Sequence, residues 1–310
     1  MINTDVLRVM NARGAGDALI RRMCHYLAHT SNYDLRELCE SQKLMQSIGI
    51  DYEVARNIYN AKDSSLRLQD ELEENQVDMC WYGDEKYPEG IRTLKSGNIP
   101  SVLFYKGNFH VLDKKCVGFT GSRNVSDSGI RITDESAKQF AKDDITVVSG
   151  YAKGVDITAH RAALQMGGNT VFVMVEGILK NKLKGEVKEL LNEDNHLFVS
   201  QFPPNTVWTA SNAMKRNNTI IGLSDAMMLI ESGMDGGTFN AGEQSLKNHK
   251  PLFVVEYGVP KPTAEGNKYF IDRGGVPIRG DKNGKPILKR VYATLEKEKQ
   301  DDYEQLKLEV

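Results

Sequence analysis

Three glycine-bearing segments collect the residues of this sequence best suited to hold an anion. The first is Gly121, Ser122 and Arg123. The second is Ser149-Gly-Tyr-Ala-Lys-Gly-Val-Asp156, which contains Gly150, Lys153 and Gly154. The third is Glu231-Ser-Gly-Met-Asp-Gly-Gly-Thr238, ending in Gly236, Gly237 and Thr238. Glycine allows a sharp turn and close approach of an anion to the backbone. Exposed amides and the helix dipole at the following helix start attract phosphate. Arg123 and Lys153 add full positive charge, and an arginine can grip phosphate with two hydrogen bonds. Ser122 and Ser149 supply hydroxyls. One such loop ends a strand in many α/β proteins; three at matching positions point to an anion site.

The spacing excludes two common phosphate binders. Gly150 and Gly154 lie four apart, unlike a dinucleotide fingerprint. Gly154 is followed by Val155, unlike a P-loop. Asp156 falls where a helix should start, so capping is its expected role. His160 lies four residues on, on the same helix face, and either meets a phosphate or bridges to a strand end. Lys215, Arg216 and Asn217 precede an apolar helix, as surface charge or as an extension of a positive rim. No catalytic triad, carboxylate pair, metal set or cofactor motif emerges from the spacing.

Regular alternation must position these loops. From Lys114 onward, apolar runs at 116–120, 145–148, 170–175, 196–199, 226–230 and 251–255 alternate with helix-length stretches at 129–143, 156–166, 184–192 and 240–248. Continuously apolar strands imply a parallel sheet covered on both faces. The expected class is α/β, an extended Rossmann-like, doubly wound, mainly parallel sheet, whose ligands bind beyond the strand carboxyl ends. Residues 1–80 read as a small all-α domain of short helices with glycine turns. Strands are expected near 77–82 and 102–105. Residues 81–290 form the core, and 291–310 a solvated, charged helical tail.

The 310-residue chain carries a formal net charge of −2, with 26% charged and 40% hydrophobic residues. A protein that coats nucleic acid is usually strongly basic, so contact with a polyanion must be local here. The four cysteines, Cys24, Cys39, Cys80 and Cys116, form no Cys-x-x-Cys pair, which suits a reducing cytoplasm. No signal-peptide pattern opens the chain, and no apolar run reaches the roughly 18 residues of a membrane span.

The motif set resembles the DNA-processing protein A (DprA/Smf) family. Gly121-Ser122-Arg123, the 149–156 segment and Ala159-His160 carry the resemblance. It continues through Gln201-Phe-Pro-Pro204, Arg216-Asn217 with Gly222-Leu-Ser-Asp225, and Gly266-Asn267 with Gly274. Tyr87-Pro88, Ile99-Pro100 and the 103–107 segment match upstream, so about 80–290 is covered. The resemblance implies single-stranded DNA binding at Gly121, Ser122, Arg123, Ser149, Gly150, Lys153, Gly154 and Arg216. It also implies a homodimer and a RecA-type recombinase as partner in DNA uptake or recombination, without catalysis. The first 80 residues are similar in kind to a sterile-alpha-motif-like or helix-hairpin-helix domain.

The sequence departs from the family pattern in three places. Arg216-Asn217-Asn218 stands for Arg-Asn-Arg, Asp235-Gly-Gly-Thr-Phe239 for Ser-Gly-Ser-Leu, and no winged-helix module is evident at the end. A second reading uses the same pocket for a free nucleotide, as a sensor or an N-glycoside hydrolase, with Asp235, Glu231 or Glu243 as acids or ribose ligands.

Overall fold

A computed structural model describes residues 2–30, 33–95, 97 and 99–296. Nine strands make one sheet: β1 (Asp78–Trp81), β2 (Val102–Gly107), β3 (Cys116–Thr120), β4 (Thr146–Ser149), β5 (Thr170–Val173), β6 (His196–Ser200), β7 (Ala226–Leu229), β8 (Leu252–Val255) and β9 (Val276–Ile278). Their order across the sheet is β1-β2-β6-β5-β4-β3-β7-β8-β9. From β6 to β9 every pair is parallel, and β2 alone runs against its neighbours β1 and β6. The strand order reverses beside β3, whose neighbours are β4 and β7. Such a reversal opens a crevice at the carboxyl ends. The register pairs Phe119 with Ser149 and Thr120 with Leu229, so the three strands end level at that crevice.

The two faces are covered separately, as alternation in a strand requires. Phe119 and Val147 pack with Phe140 and Ala159 of the helices Asp127–Lys142 and Val155–Gln165. Val148 and Val171 pack on the other side with Ile220 of the helix Ala210–Gly222. These are the doubly wound layers that the apolar runs imply.

Six short helices between Thr4 and Glu74 precede the sheet. Gly14 and Gly49 turn between helices with φ of 89° and 79°, which glycine adopts without strain. Val6, Leu7, Met23 and Ile58 join Met79, Phe104, Phe172 and Phe198 in one apolar cluster. The helical segment and the sheet therefore share a core.

Three elements differ from their sequence expectation. The stretch 184–192 is helical only over Gly185–Lys188, because the Asn192 side chain accepts from the Asp194 and Asn195 amides and turns the chain. The helix expected from 240 begins at Gly236, whose φ of 82° makes the turn into it. Residues 289–296 are helical, but Leu288, Val291 and Leu295 are buried in the core cluster with Phe140. The solvated tail expected from 291 is thus packed in its first turns; 297–310 lie outside the described residues.

Among the described residues no helix is long and apolar enough to cross a membrane, and no group of His, Cys, Asp or Glu is placed to hold a metal ion.

Candidate nucleic-acid interface

The loops after β3, β4 and β7 and the start of the helix Ala210–Gly222 meet at one crevice. A depression of about 460 Å³ is lined by Gly121, Ser122, Arg123, Asp156, Arg216 and Asn217, with Asp235, Gly237 and Thr238 opposite. A second, of about 700 Å³, adjoins it and is lined by Tyr151, Lys153, Glu176, Lys180, Lys182 and Lys184. Arg123, Ala152, Trp208 and Arg216 border both. The two depressions form one groove along the carboxyl rim.

Close backbone approach explains the glycines. A side chain at Gly121 would overlap Val155, and one at Gly154, with φ of 79°, would overlap the Ser122 carbonyl. These two glycines lock the first loop onto the second. The second loop is closed on itself. The Ala152 amide donates to the Asp156 carboxylate at 3.3 Å, and the Ile157 amide to the Ala152 carbonyl at 3.2 Å. The Val155 amide reaches the Ser122 carbonyl at 3.4 Å. The Ala152, Val155 and Ile157 amides are therefore engaged within the protein.

Three of the expected ligand residues, Ser149, Gly150 and His160, form a buried layer behind the groove, and Asp156 sits in its wall. The Ser149 hydroxyl donates to the Phe119 carbonyl at 2.8 Å. His160 is fully buried; Nε2 donates to the Gly150 carbonyl and Nδ1 meets the Thr170 hydroxyl, both at 2.5 Å. Burial pushes its pKa down to about 3, so the ring is neutral and serves as the strand-end bridge. Asp156 does not cap the helix, since Gly154 is the N-cap residue and no side chain caps it. Its carboxylate lies next to the Arg216 guanidinium across Gly150, where a side chain would overlap both groups.

Arg216 and Lys215 are separated by the helix that carries them, which starts at Ala210, earlier than expected. Arg216 is buried at 7% exposure, donates from Nη1 to the Val173 carbonyl at 2.6 Å, and leaves Nε without a partner. Lys215 is exposed and lines neither depression. Asn217 donates to the Gly237 carbonyl at 3.0 Å and to Asn240 at 3.2 Å, which seats the third loop against the groove. No side chain caps the helix Gly236–Lys247 that opens onto it.

The acids of the second reading divide. Burial raises the Glu231 pKa, but hydrogen bonds from Ser126, Thr263 and Tyr257 outweigh it and hold the carboxyl below its ordinary value. Ser126 donates to it through amide and hydroxyl, and Tyr257 at 2.9 Å. Glu231 is thus an ionised strut beneath the 121–126 loop. Glu243 is hydrogen-bonded to Tyr269 and lines neither depression. Asp235 remains at the mouth, exposed.

Sequence reasoning missed Trp208 and the lysines of the β5–β6 crossover. The Arg123 guanidinium lies over the Trp208 ring, 5.9 Å from its centroid. The Lys184 ammonium lies 4.2 Å from the Tyr151 ring centroid and donates to the Tyr151 carbonyl. Burial, opposed by Asp156 and Glu186, lowers the Lys184 pKa. The alternation Lys180, Lys182, Lys184 immediately after an apolar run was a visible signal.

A sequence profile of the family described as DNA recombination-mediator protein A matches residues 78–290. The chain belongs to that family. Protein Smf of Escherichia coli (strain K12) is 25% identical over 292 residues, covering 90% of this chain and 73% of the relative. DNA processing protein DprA of Streptococcus pneumoniae is 29% identical over 193 residues, covering 62% and 67%. The solved structure of DNA processing protein A from Streptococcus pneumoniae aligns with a TM-score of 0.75 at 23% identity, covering 89% of this chain and 94% of that one. That of the Helicobacter pylori protein, described for its single-stranded DNA binding mode, gives 0.59 at 21% identity, covering 73% and 97%. These likenesses show the extended Rossmann-like fold, and the chain is a DNA-processing protein of the DprA/Smf type.

Proposed function

We propose that this DprA/Smf protein binds single-stranded DNA by its phosphate backbone along the groove at the strand carboxyl ends. The observation that carries this reading is that two adjoining depressions share Arg123, Arg216 and Trp208. Cations gripping phosphate beside an aromatic ring that stacks a base suit a strand of any sequence. Arg123, Lys153 and Lys182 are exposed cations on this rim, and Arg216 presents its guanidinium from the groove wall. Gly121, Ser122, Gly236, Gly237 and Thr238 let the backbone approach the strand. Ser149, Gly150 and His160 hold the groove from behind, Asp156 lies in its wall beside Arg216, and no catalytic step is required of any of them. Recombinase loading, a homodimer and a cytoplasmic setting belong to the same reading. Pull-down with a RecA-type recombinase and sedimentation test the first two.

Fluorescence anisotropy with a labelled oligothymidylate tests the binding. Arg123→Ala and Lys153→Ala are each expected to weaken it and to reduce the slope of log affinity against log salt by about 1. Absence of binding by the unaltered protein at low salt overturns the reading.

The uncapped start of the helix Gly236–Lys247 beside exposed Asp235 favours a second reading. The narrower depression then takes one free nucleotide, with Asp235 on the ribose. A thermal-shift panel of nucleoside monophosphates detects this, and chromatography for released base distinguishes sensor from hydrolase.

A further inference from the structure

A second basic and aromatic cleft, of about 750 Å³, lies between the N-terminal helix Asp17–His29 and the turn after β1. Arg21, Arg22, His25, Trp81, Tyr82 and Arg92 line it, and no carboxylate does. Its aromatic wall is fixed. The Asp84 amide donates to the Trp81 carbonyl at 2.8 Å, and a side chain at Gly83 would press into the indole. The Arg92 guanidinium lies 5.2 Å from the Tyr82 ring centroid and is held by the Tyr82 and Asp84 carbonyls. Arg21 is tied to Ile99 and Ser101. Arg22 and His25 are exposed at the mouth. Cys24 is no nucleophile here, because burial raises its thiol to about 11.

Topology places this cleft on the rim that holds the groove. β1 is antiparallel to β2, and β2 is antiparallel to β6. β1 therefore runs in the direction of β4, β5 and β6, and Trp81 at its end lies on the carboxyl side. Four inter-strand steps of about 4.8 Å separate β1 from β4, about 19 Å in all. About five or six stacked nucleotides span that distance at roughly 3.4 Å each.

We propose that the cleft between the N-terminal helices and β1 is a second contact for the same DNA strand, with a base on Trp81 or Tyr82 and phosphate on Arg22 and Arg21. This rests on the groove reading and extends it. The helical segment, fused to the sheet by a shared core, becomes part of the binding surface. The ligand class is a nucleoside phosphate unit within a single strand. The arginines and the two aromatic rings of the lining carry the assignment; Arg92 is paired with Glu89 at 3.2 Å, which leaves Arg21 and Arg22 as the cations for phosphate.

The chain has two tryptophans, Trp81 in the cleft and Trp208 in the groove, so each site has its own fluorophore. In Trp208→Phe, an oligothymidylate of about 20 nucleotides is expected to quench the remaining Trp81 emission, and one of about 3, too short to span the two sites, is not. In the otherwise unaltered protein, Arg22→Glu is expected to lower affinity for the long oligomer about five- to tenfold and to leave the short one unchanged. Arg123→Ala weakens both. Long oligomers that bind without changing Trp81 emission, or equal affinity in Arg22→Glu, overturn the second contact and leave the groove reading intact. Quenching of Trp81 by a mononucleotide as strong as by the strand overturns the shared-strand assignment. Failure of both oligomers to bind the unaltered protein overturns the groove reading, and this one with it.

Discussion

Arg216 and Asp156 face one another across Gly150, in the space that a side chain at that position would fill. Both are buried, at 7% exposure each. Burial penalises each charge. It raises the Asp156 pKa against the pull of Arg216, and lowers that of Arg216 against the pull of Asp156. The carboxylate only partly offsets the guanidinium, whose Nε has no partner. A phosphate entering the groove would supply the missing charge and acceptor. The two groups thus store an unsatisfied cation where the strand is proposed to pass, at a desolvation cost that their mutual attraction does not fully offset.

Gly150→Ala is expected to separate binding from folding. Its methyl group displaces the guanidinium tip and breaks the bond to the Val173 carbonyl, while the strands around it keep their register. Stability should fall by about 1–3 kcal/mol, the range for an overpacked site. DNA affinity should fall more than tenfold. Urea denaturation and anisotropy on the same preparation check both. Unchanged affinity would show that Arg216 does not hold the strand.

Asp156 sets a pH dependence with a defined sign. Its folded pKa is raised above the ordinary 3.8 by burial, so the folded state holds the proton longer than the unfolded chain. Stability is therefore greatest below pH 3.8 for this group and declines as pH rises through the raised value. Asp156→Asn should remove that decline and strengthen DNA binding at neutral pH, because one negative charge leaves the groove. Denaturation and binding followed from about pH 4 to about pH 8 measure both effects.

The parts of this molecule legible in the sequence are those written in local pattern. The apolar runs locate β3 to β8, and the glycines mark where loops approach each other closely. Gly121 and Gly154 are needed because they touch Val155 and Ser122. What stayed hidden depends on which way a side chain points. His160 and Ser149 sit in a phosphate motif, yet both are turned inward onto strand carbonyls. Lys215 and Arg216 are adjacent in sequence, and a helix sends one outward and the other into the groove. Trp208 has no periodic neighbours to mark it, and its place over Arg123 arises from a loop.

His160 provides an acid-side counterpart to Asp156. Its pKa falls from 6.5 to about 3 through burial. The unfolded chain binds that proton first, so this contribution to stability is complete above pH 6.5 and is lost as pH falls toward 3. The slope should approach about 1.4 kcal/mol per pH unit within that window. His160→Gln keeps a donor for the Gly150 carbonyl and should flatten the slope, at some loss of stability at neutral pH. Urea midpoints across the window test this. An equal slope in the variant would place the acid sensitivity elsewhere.

Trp208 separates stacking from charge. It is 47% exposed and forms no part of a core cluster, so Trp208→Ala should leave the melting temperature nearly unchanged. Base stacking contributes roughly 1–3 kcal/mol per base, which corresponds to a weakening of about 5- to 150-fold. Removal of a ring does not remove a phosphate contact, so the salt slope should stay that of the unaltered protein, unlike Arg123→Ala. Trp208→Phe should recover most of the affinity. Anisotropy titrations of the three variants at several salt concentrations check the pattern. A salt slope reduced in Trp208→Ala would mean that the ring acts by positioning Arg123, 5.9 Å away, rather than by stacking a base.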